Sequence, residues 1–267
     1  MGQIVARTPL VDITMLLVRR KNATRPMRIV VHPLTFDTLG DLAGTAATNT
    51  FWTTQPGTQS HNDTASQPSG PAGQPRNADS GNPRLDKELW MHNTLTTWGP
   101  CAFTAYVTSG ADADLAVPAA TVVFAPPASL PGRLAFPTGP VSDDAVLIST
   151  VHVPPPYQGL FLEHRLIDAA VDELSRRGVR AVECFAVRPT ASPADKATSP
   201  LIPRHAPILC SDVLEERGFE VAADDPAFPR YRMELPDTGN LFAAVEESLW
   251  EATVTMGFRI KVGMGAH

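Results

Sequence analysis

Along residues 145–187 the apolar positions change period twice, and the changes mark out three elements. Ala145 to Val153 is a near-continuous apolar run rich in β-branched residues, the pattern of a strand covered on both faces. Pro154, Pro155 and Pro156 stop it, because proline cannot donate to a sheet ladder. From Leu162 the spacing becomes helical. Leu162, Leu166, Ala170 and Leu174 lie four apart, Ile167 and Val171 widen the stripe, and charged residues fill the other face. Gly178 stands where a left-handed helix stop is wanted, and Arg180 to Val187 is strand-like again. A strand, helix and strand of these lengths form a βαβ unit with parallel strands and a right-handed crossover.

The same reading places other elements around this unit. Residues 1–26 lack periodicity and read as an appended flexible tail. Residues 27–236 read as one domain, and 237–267 as a C-terminal helix and tail. Ile29 to Val31 is a short strand, and Thr35 is placed to cap a helix bearing Phe36, Leu39 and Leu42. Residues 55–84 contain no large apolar side chain, which predicts a disordered insertion within the domain. Leu85 to Trp98 resumes helical spacing, with Leu89 and Trp90 in its stripe, and Gly99-Pro100 stops it. Cys101 to Val107 and Ala119 to Phe124 are strands around a hairpin loop. Ser211 to Arg217 is a short helix, Tyr231 to Leu235 a last strand and Asn240 to Ala252 an amphipathic helix. Phe242 and Trp250 of that last helix are available to pack on the domain or on a second copy, so a homodimer is one expectation.

Composition narrows the partners. With 43% apolar residues the chain can build a sizeable core, and its net charge of −6 argues against nucleic acid or an anionic membrane held by general electrostatics. No apolar run approaches the roughly 18–20 residues of a membrane span. Cys101, Cys184 and Cys210 are few, odd in number and far apart, which suits a reducing cytoplasm and supplies no metal spacing.

The central stretch resembles the cofactor core of the GNAT superfamily of N-acetyltransferases. In that family a strand ends in a V-x-V-like pattern and leads through a loop of the form R/Q-x-x-G-x-G/A into a helix. Here the strand end is Val151-His152-Val153, and the loop is Gln158-Gly159-Leu160-Phe161-Leu162-Glu163. The pieces Trp98-Gly99-Pro100-Cys101, Ala125-Pro126-Pro127, Phe136 to Ser142 and Asp144 to Leu147 are similar, in this order, to a bacterial subgroup of the family. Gly218-Phe219 followed by a strand fits its ending. The resemblance implies an α/β fold: a GNAT-like mixed, central twisted sheet flanked by helices, with a βαβ cofactor core. It implies acetyl-CoA as co-substrate, its pantetheine arm pairing with the backbone of Val151 and Val153. The amides from Gln158 to Glu163 would hold the pyrophosphate, an anion that free N–H groups and a helix dipole favour. Two later family glycines are Phe161 and Glu163 here, a bulky ring and a negative charge where phosphate would approach.

Acetyl transfer to an amine needs a route for the amine proton and sometimes an acid for the departing thiolate. The family tyrosine four residues before the G-F glycine is Leu214 here. Cys210, near the start of that helix, is the alternative acid, against the reading of a cysteine as a small buried hydrophobe. Asp144, at the entry to the key strand, is the candidate base, against the reading of a turn residue. His152 shares Asp144's strand face by simple alternation, but eight residues put them roughly 26 Å apart. Glu183 and His205 are weaker candidates. Two functions follow: an acetyl-CoA-dependent N-acetyltransferase whose amine acceptor attacks the thioester directly, or a fold-sharing binding or regulatory module that has lost the cofactor.

Overall fold

A computed structural model describes residues 15–16, 27–56, 81–109 and 116–236. The predicted C-terminal helix and most of the predicted tail and insertion lie outside these residues. Nine strands form one mixed sheet among the described residues: β1 (Met15–Leu16), β2 (Met27–Pro33), β3 (Ala102–Ser109), β4 (Val117–Ala125), β5 (Ala145–His152), β6 (Ala181–Val187), β7 (Leu209–Cys210), β8 (Glu220–Ala223) and β9 (Arg230–Glu234). Their order is β1-β2-β3-β4-β5-β6-β9-β8, with β7 on β6. The run from β1 to β5 is antiparallel, β5 and β6 are parallel, and β9 returns antiparallel on β6. The expected α/β fold, a mixed central sheet flanked by helices with a βαβ core, is therefore present.

Helix α1 (Pro83–Thr97) lies over one face of the sheet and α2 (Leu162–Arg176) over the other, followed by the short helices α3 (Pro193–Ala197) and α4 (Ser211–Glu216). The predicted stripe of α2 is the buried one. Leu162, Leu166, Ile167, Ala170 and Leu174 meet Val122, Phe124, Val146 and Ile148 of the sheet. Full burial stabilises by about 1.5–3 kcal/mol for each large aliphatic side chain. The opposite face carries Trp52, Phe136 and Phe185 in a stacked group, with 4.2 Å between the Phe136 and Phe185 ring centroids. Trp52 Nε1–H donates to the Pro207 carbonyl at 3.1 Å, so the buried indole has its partner.

Several local expectations are corrected. Helix α1 starts at Pro83, two residues inside the predicted insertion, because Asn82 caps it through bonds from the Arg84 and Leu85 amides. Its buried residues are Lys87, Trp90, Met91 and Thr94, whereas Leu85 and Leu89 face outward. The aliphatic stem of a lysine can line such a face, and here the Lys87 ammonium rests 5.1 Å from the Trp90 ring centroid. The helix predicted after Thr35 is a short 3-10 turn, Phe36–Asp41, followed by a second, Gly44–Ala47. Within the predicted tail, Met15 and Leu16 pair with Arg28 and Met27.

Strand β5 holds one irregularity that sequence alternation does not reveal. Phe124 faces Ile148 while Val123 faces Thr150, so Ser149 is an extra residue, a β-bulge. Its hydroxyl donates to the Val123 carbonyl at 3.1 Å. A bulge reverses the inward and outward order beyond it. Asp144 and His152 therefore do not share a strand face, contrary to simple alternation.

Candidate functional site

The parallel ladder between β5 and β6 runs from Ala145 opposite Ala181 to Ile148 opposite Cys184 and stops. Both strands continue, β5 to His152 and β6 to Val187, so they part where Ser149 bulges. Beyond the parting, β6 takes β7 as its neighbour, with Ala186 opposite Leu209 and Val187 opposite Cys210. A parallel pair that separates exposes backbone groups that a sheet would otherwise satisfy, and such groups need other partners. Val151 and Val153 are half-buried and pack their side chains against the core under α2. Their backbone thus lies at the edge of the gap, where the resemblance places the cofactor arm.

The strand then enters a 3-10 turn, Pro155–Tyr157, and the loop 158–161. Leu160 and Leu162 are buried and anchor this loop, while Gln158, Gly159 and Phe161 point outward. Gly159 has φ +79°, and a Cβ placed there would meet nothing within 4 Å, so the space beside it is open. Phe161 is the N-cap of α2 and sits in the left-handed region at φ 55°, which costs a residue with a Cβ roughly 1–2 kcal/mol. No side chain caps this helix. The first bond along it is from the Arg165 amide to the Phe161 carbonyl at 3.4 Å, leaving the amides of the preceding turn outside the helical ladder. Backbone donors outside the ladder and open space thus lie side by side in this loop. Glu163, in the first turn, is the one acidic group there.

Of the sequence-predicted residues, Val151, Val153 and the six from Gln158 to Glu163 come together at this gap. Cys210 joins them from across it: half-buried, on β7, at the N-cap of α4. Asp144 does not. It stands before the first residue of β5, at the opposite end of the strand, and both its oxygens accept from Arg232 at 3.0 Å. Hydrogen bonding to Arg232 holds its carboxyl below the usual range, the state of a structural ion-pair partner rather than a base. Leu214, at the position of the family tyrosine, is fully buried. The nearby phenol is Tyr231 of β9, also buried, whose hydroxyl bonds Glu215 of α4. Burial and Glu215 push that phenol up to about 12.

Glu183 proves structural. It is fully buried and accepts from the Ser142 amide at 3.3 Å, from Arg232 at 3.2 Å and from Arg230. Burial alone would raise its carboxyl, but the bonds from Ser142 and Arg230 outweigh it and leave it lowered. His152, weakly regarded from sequence, is hydrogen-bonded to Thr45, 107 residues away. No local signal reveals a contact of that separation. Among the described residues no group of three or more His, Cys, Asp or Glu is placed to hold a metal ion, and no helix is long and apolar enough to cross a membrane.

The chain is similar to yncA of Salmonella typhimurium, solved with its cofactor acetyl-CoA, at 12% identity over 78% of this chain and 95% of that one, with a TM-score of 0.41. This chain itself shows a parallel pair, β5 and β6, joined by α2 and parting beyond Ile148. The ribosomal-protein-S5-alanine acetyltransferase of Vibrio fischeri is similar at 10% identity, over 83% of this chain and 98% of that one, with a TM-score of 0.41. An N-acetyltransferase of Staphylococcus aureus Mu50 is similar at 8% identity, over 78% and 99%, with the same TM-score. No family model matches the chain, and no curated protein does either.

Proposed function

We propose that the protein is an acetyl-CoA-dependent N-acetyltransferase. One observation carries the reading: the β5–β6 ladder ends at Ile148 and Cys184 beside a helix whose amino end no side chain caps. The backbone at Val151 and Val153 would receive the pantetheine arm, and the amides from Gly159 to Glu163 the pyrophosphate. The acceptor is an amine. Its nitrogen attacks the thioester carbonyl, a C–N bond forms, the C–S bond breaks, and the amine proton passes through water to the leaving thiolate or to solvent. Positioning of the two reactants would do most of the work, since effective molarities for well-oriented groups are large. Cys210 is the one proton-bearing side chain among the proposed residues at the gap.

Thermal denaturation with acetyl-CoA tests the reading. A ligand present at about 100 times its Kd stabilises by about 2.7 kcal/mol, which shifts the midpoint measurably. Absence of any shift at millimolar acetyl-CoA would overturn it. The second reading, a binding or regulatory module, is supported by Phe161 and Glu163 at the phosphate loop and by Leu214 in place of the tyrosine. It predicts no consumption of acetyl-CoA with any amine panel, measured as free thiol released.

A further inference from the structure

Residues 41–47 lie against the face of the sheet opposite α2 and are fastened to three neighbouring strands by side chains. Tyr106 of β3 donates its hydroxyl proton to Asp41 at 2.8 Å. Thr121 of β4 accepts from the Ala43 amide at 3.0 Å. His152 of β5 accepts at Nε2 from the Thr45 amide at 3.3 Å, and its Nδ1 lies 3.2 Å from Thr45 Oγ1. Thr104, Thr121 and His152 are register partners in one row across β3, β4 and β5. It is the bulge at Ser149 that brings His152 into this row.

The first two fastenings do not titrate near neutrality. Burial, helped by Asp41, pushes the Tyr106 hydroxyl further up. The third does titrate. With Nε2 receiving an N–H, a neutral imidazole must carry its proton on Nδ1, where it donates to Thr45 Oγ1. A proton added at Nε2 turns the acceptor into a donor that faces the Thr45 N–H, and the bond is lost. The approach is close: a Cβ on Gly44, at φ +51°, would overlap Nε2. Among the described residues no carboxylate is set to rescue the imidazolium. Asp41 is engaged by Tyr106, the partner on β4 is Thr121, and His32 of β2 lies three strands away, opposite Thr104. Burial alone shifts His152, and it holds the imidazole below its ordinary range.

We propose that His152 is an acid-released latch: neutral, it fastens residues 43–47 to the end of β5, and protonated, it lets them go at the edge of the gap between β5 and β6. The latch rests on this geometry alone, and only its consequence for acetyl transfer rests on the reading above.

The test uses the full chain, labelled with ¹⁵N. At about pH 8 the imidazole ¹⁵N shifts report the Nδ1–H tautomer. Hydrogen-exchange protection of the Thr45 amide, corrected for the intrinsic rate, falls at least about tenfold between about pH 7.5 and pH 5, in step with the imidazole titration. In His152→Gln a carboxamide keeps one acceptor and one donor without titrating, so protection becomes independent of pH. An Nε2–H tautomer at high pH, protection unchanged through the titration, or an unaltered pH response in His152→Gln would each overturn the latch. Acetyl-CoA binding is read separately on the same samples, so the two proposals fail independently.

Discussion

The two ends of β5 are built on opposite terms. At its start the strand is paired with β6, joined from Leu147 onward by β4, and the charges around it are spent. Asp144 and Glu183 share Arg232, Glu183 also holds Arg230, and the Ser142 amide fills another lone pair. At its end the β6 partner has gone, the following loop has an open space beside Gly159, and the helix it feeds has no cap. The contrast teaches where to look for chemistry. Charged residues that have found one another report on stability, whereas backbone donors left over in a well-packed fold report on a missing partner. Asp144, the candidate base in the sequence, belongs to the closed end, whereas the backbone from Gln158 to Glu163, which the resemblance singles out for the diphosphate, lies at the open one.

The largest predicted effect breaks the closed end. Glu183→Ala strands the little-exposed Arg230, leaves Arg232 to Asp144 and Glu234, and should cost about 3 kcal/mol in urea unfolding, within the range for breaking a buried ion pair. The pH dependence has a definite sign. The folded carboxyl titrates below its reference value of 4.5, so its stabilisation is present above that value and is lost as pH falls through the folded one. The gap between wild type and Glu183→Gln should therefore narrow in acid, and a gap that widens would contradict the assignment.

The next effect sharpens the open end. Glu163→Gln removes the charge that competes for the first-turn amides, and acetyl-CoA should bind about threefold tighter by calorimetry while the helix loses about 0.5 kcal/mol. Weaker or unchanged binding would remove the diphosphate from those amides. Phe161→Gly relieves the left-handed backbone, partly offset by the entropy of glycine in the unfolded chain, for a net gain of about 0.5 kcal/mol. A loss of stability would mean that the ring, 64% exposed here, supports the fold. The smallest effect is a null result: Asp144→Asn should leave acetyl-CoA affinity unchanged. An affinity change there would dissolve the division between the two ends.

The βαβ unit was readable from sequence because burial imposes a period on each of its elements and no distant residue is needed to see it. Leu162 to Leu174 fixed the face of α2, and Pro154 to Pro156 fixed the stop. The loop was placed by a resemblance, that of Gln158 to Glu163 to a family pattern, which is also confined to neighbouring residues. Helix α1 misled because lysine and threonine fill part of its buried side, so the apolar letters at Leu85 and Leu89 mark its outside. The ion cluster left a faint trace, a glutamate within the apolar run of β6 and alternating arginines at Arg230 and Arg232. Only the antiparallel register of β6 with β9 brings them together. Ser149 left none, since a bulged serine within an apolar strand has the same composition as a regular one.

That single surplus residue sets the strand's address. Up to Ile148, β5 is numbered in the frame of the core, with Leu147 toward the stacked aromatics and Ile148 toward α2. After Ser149 the count is displaced by one, and His152 is delivered to Thr45 while Val151 and Val153 turn to α2. Excising Ser149 would restore a uniform strand and hand the gap a different set of side chains, with no change to any of them.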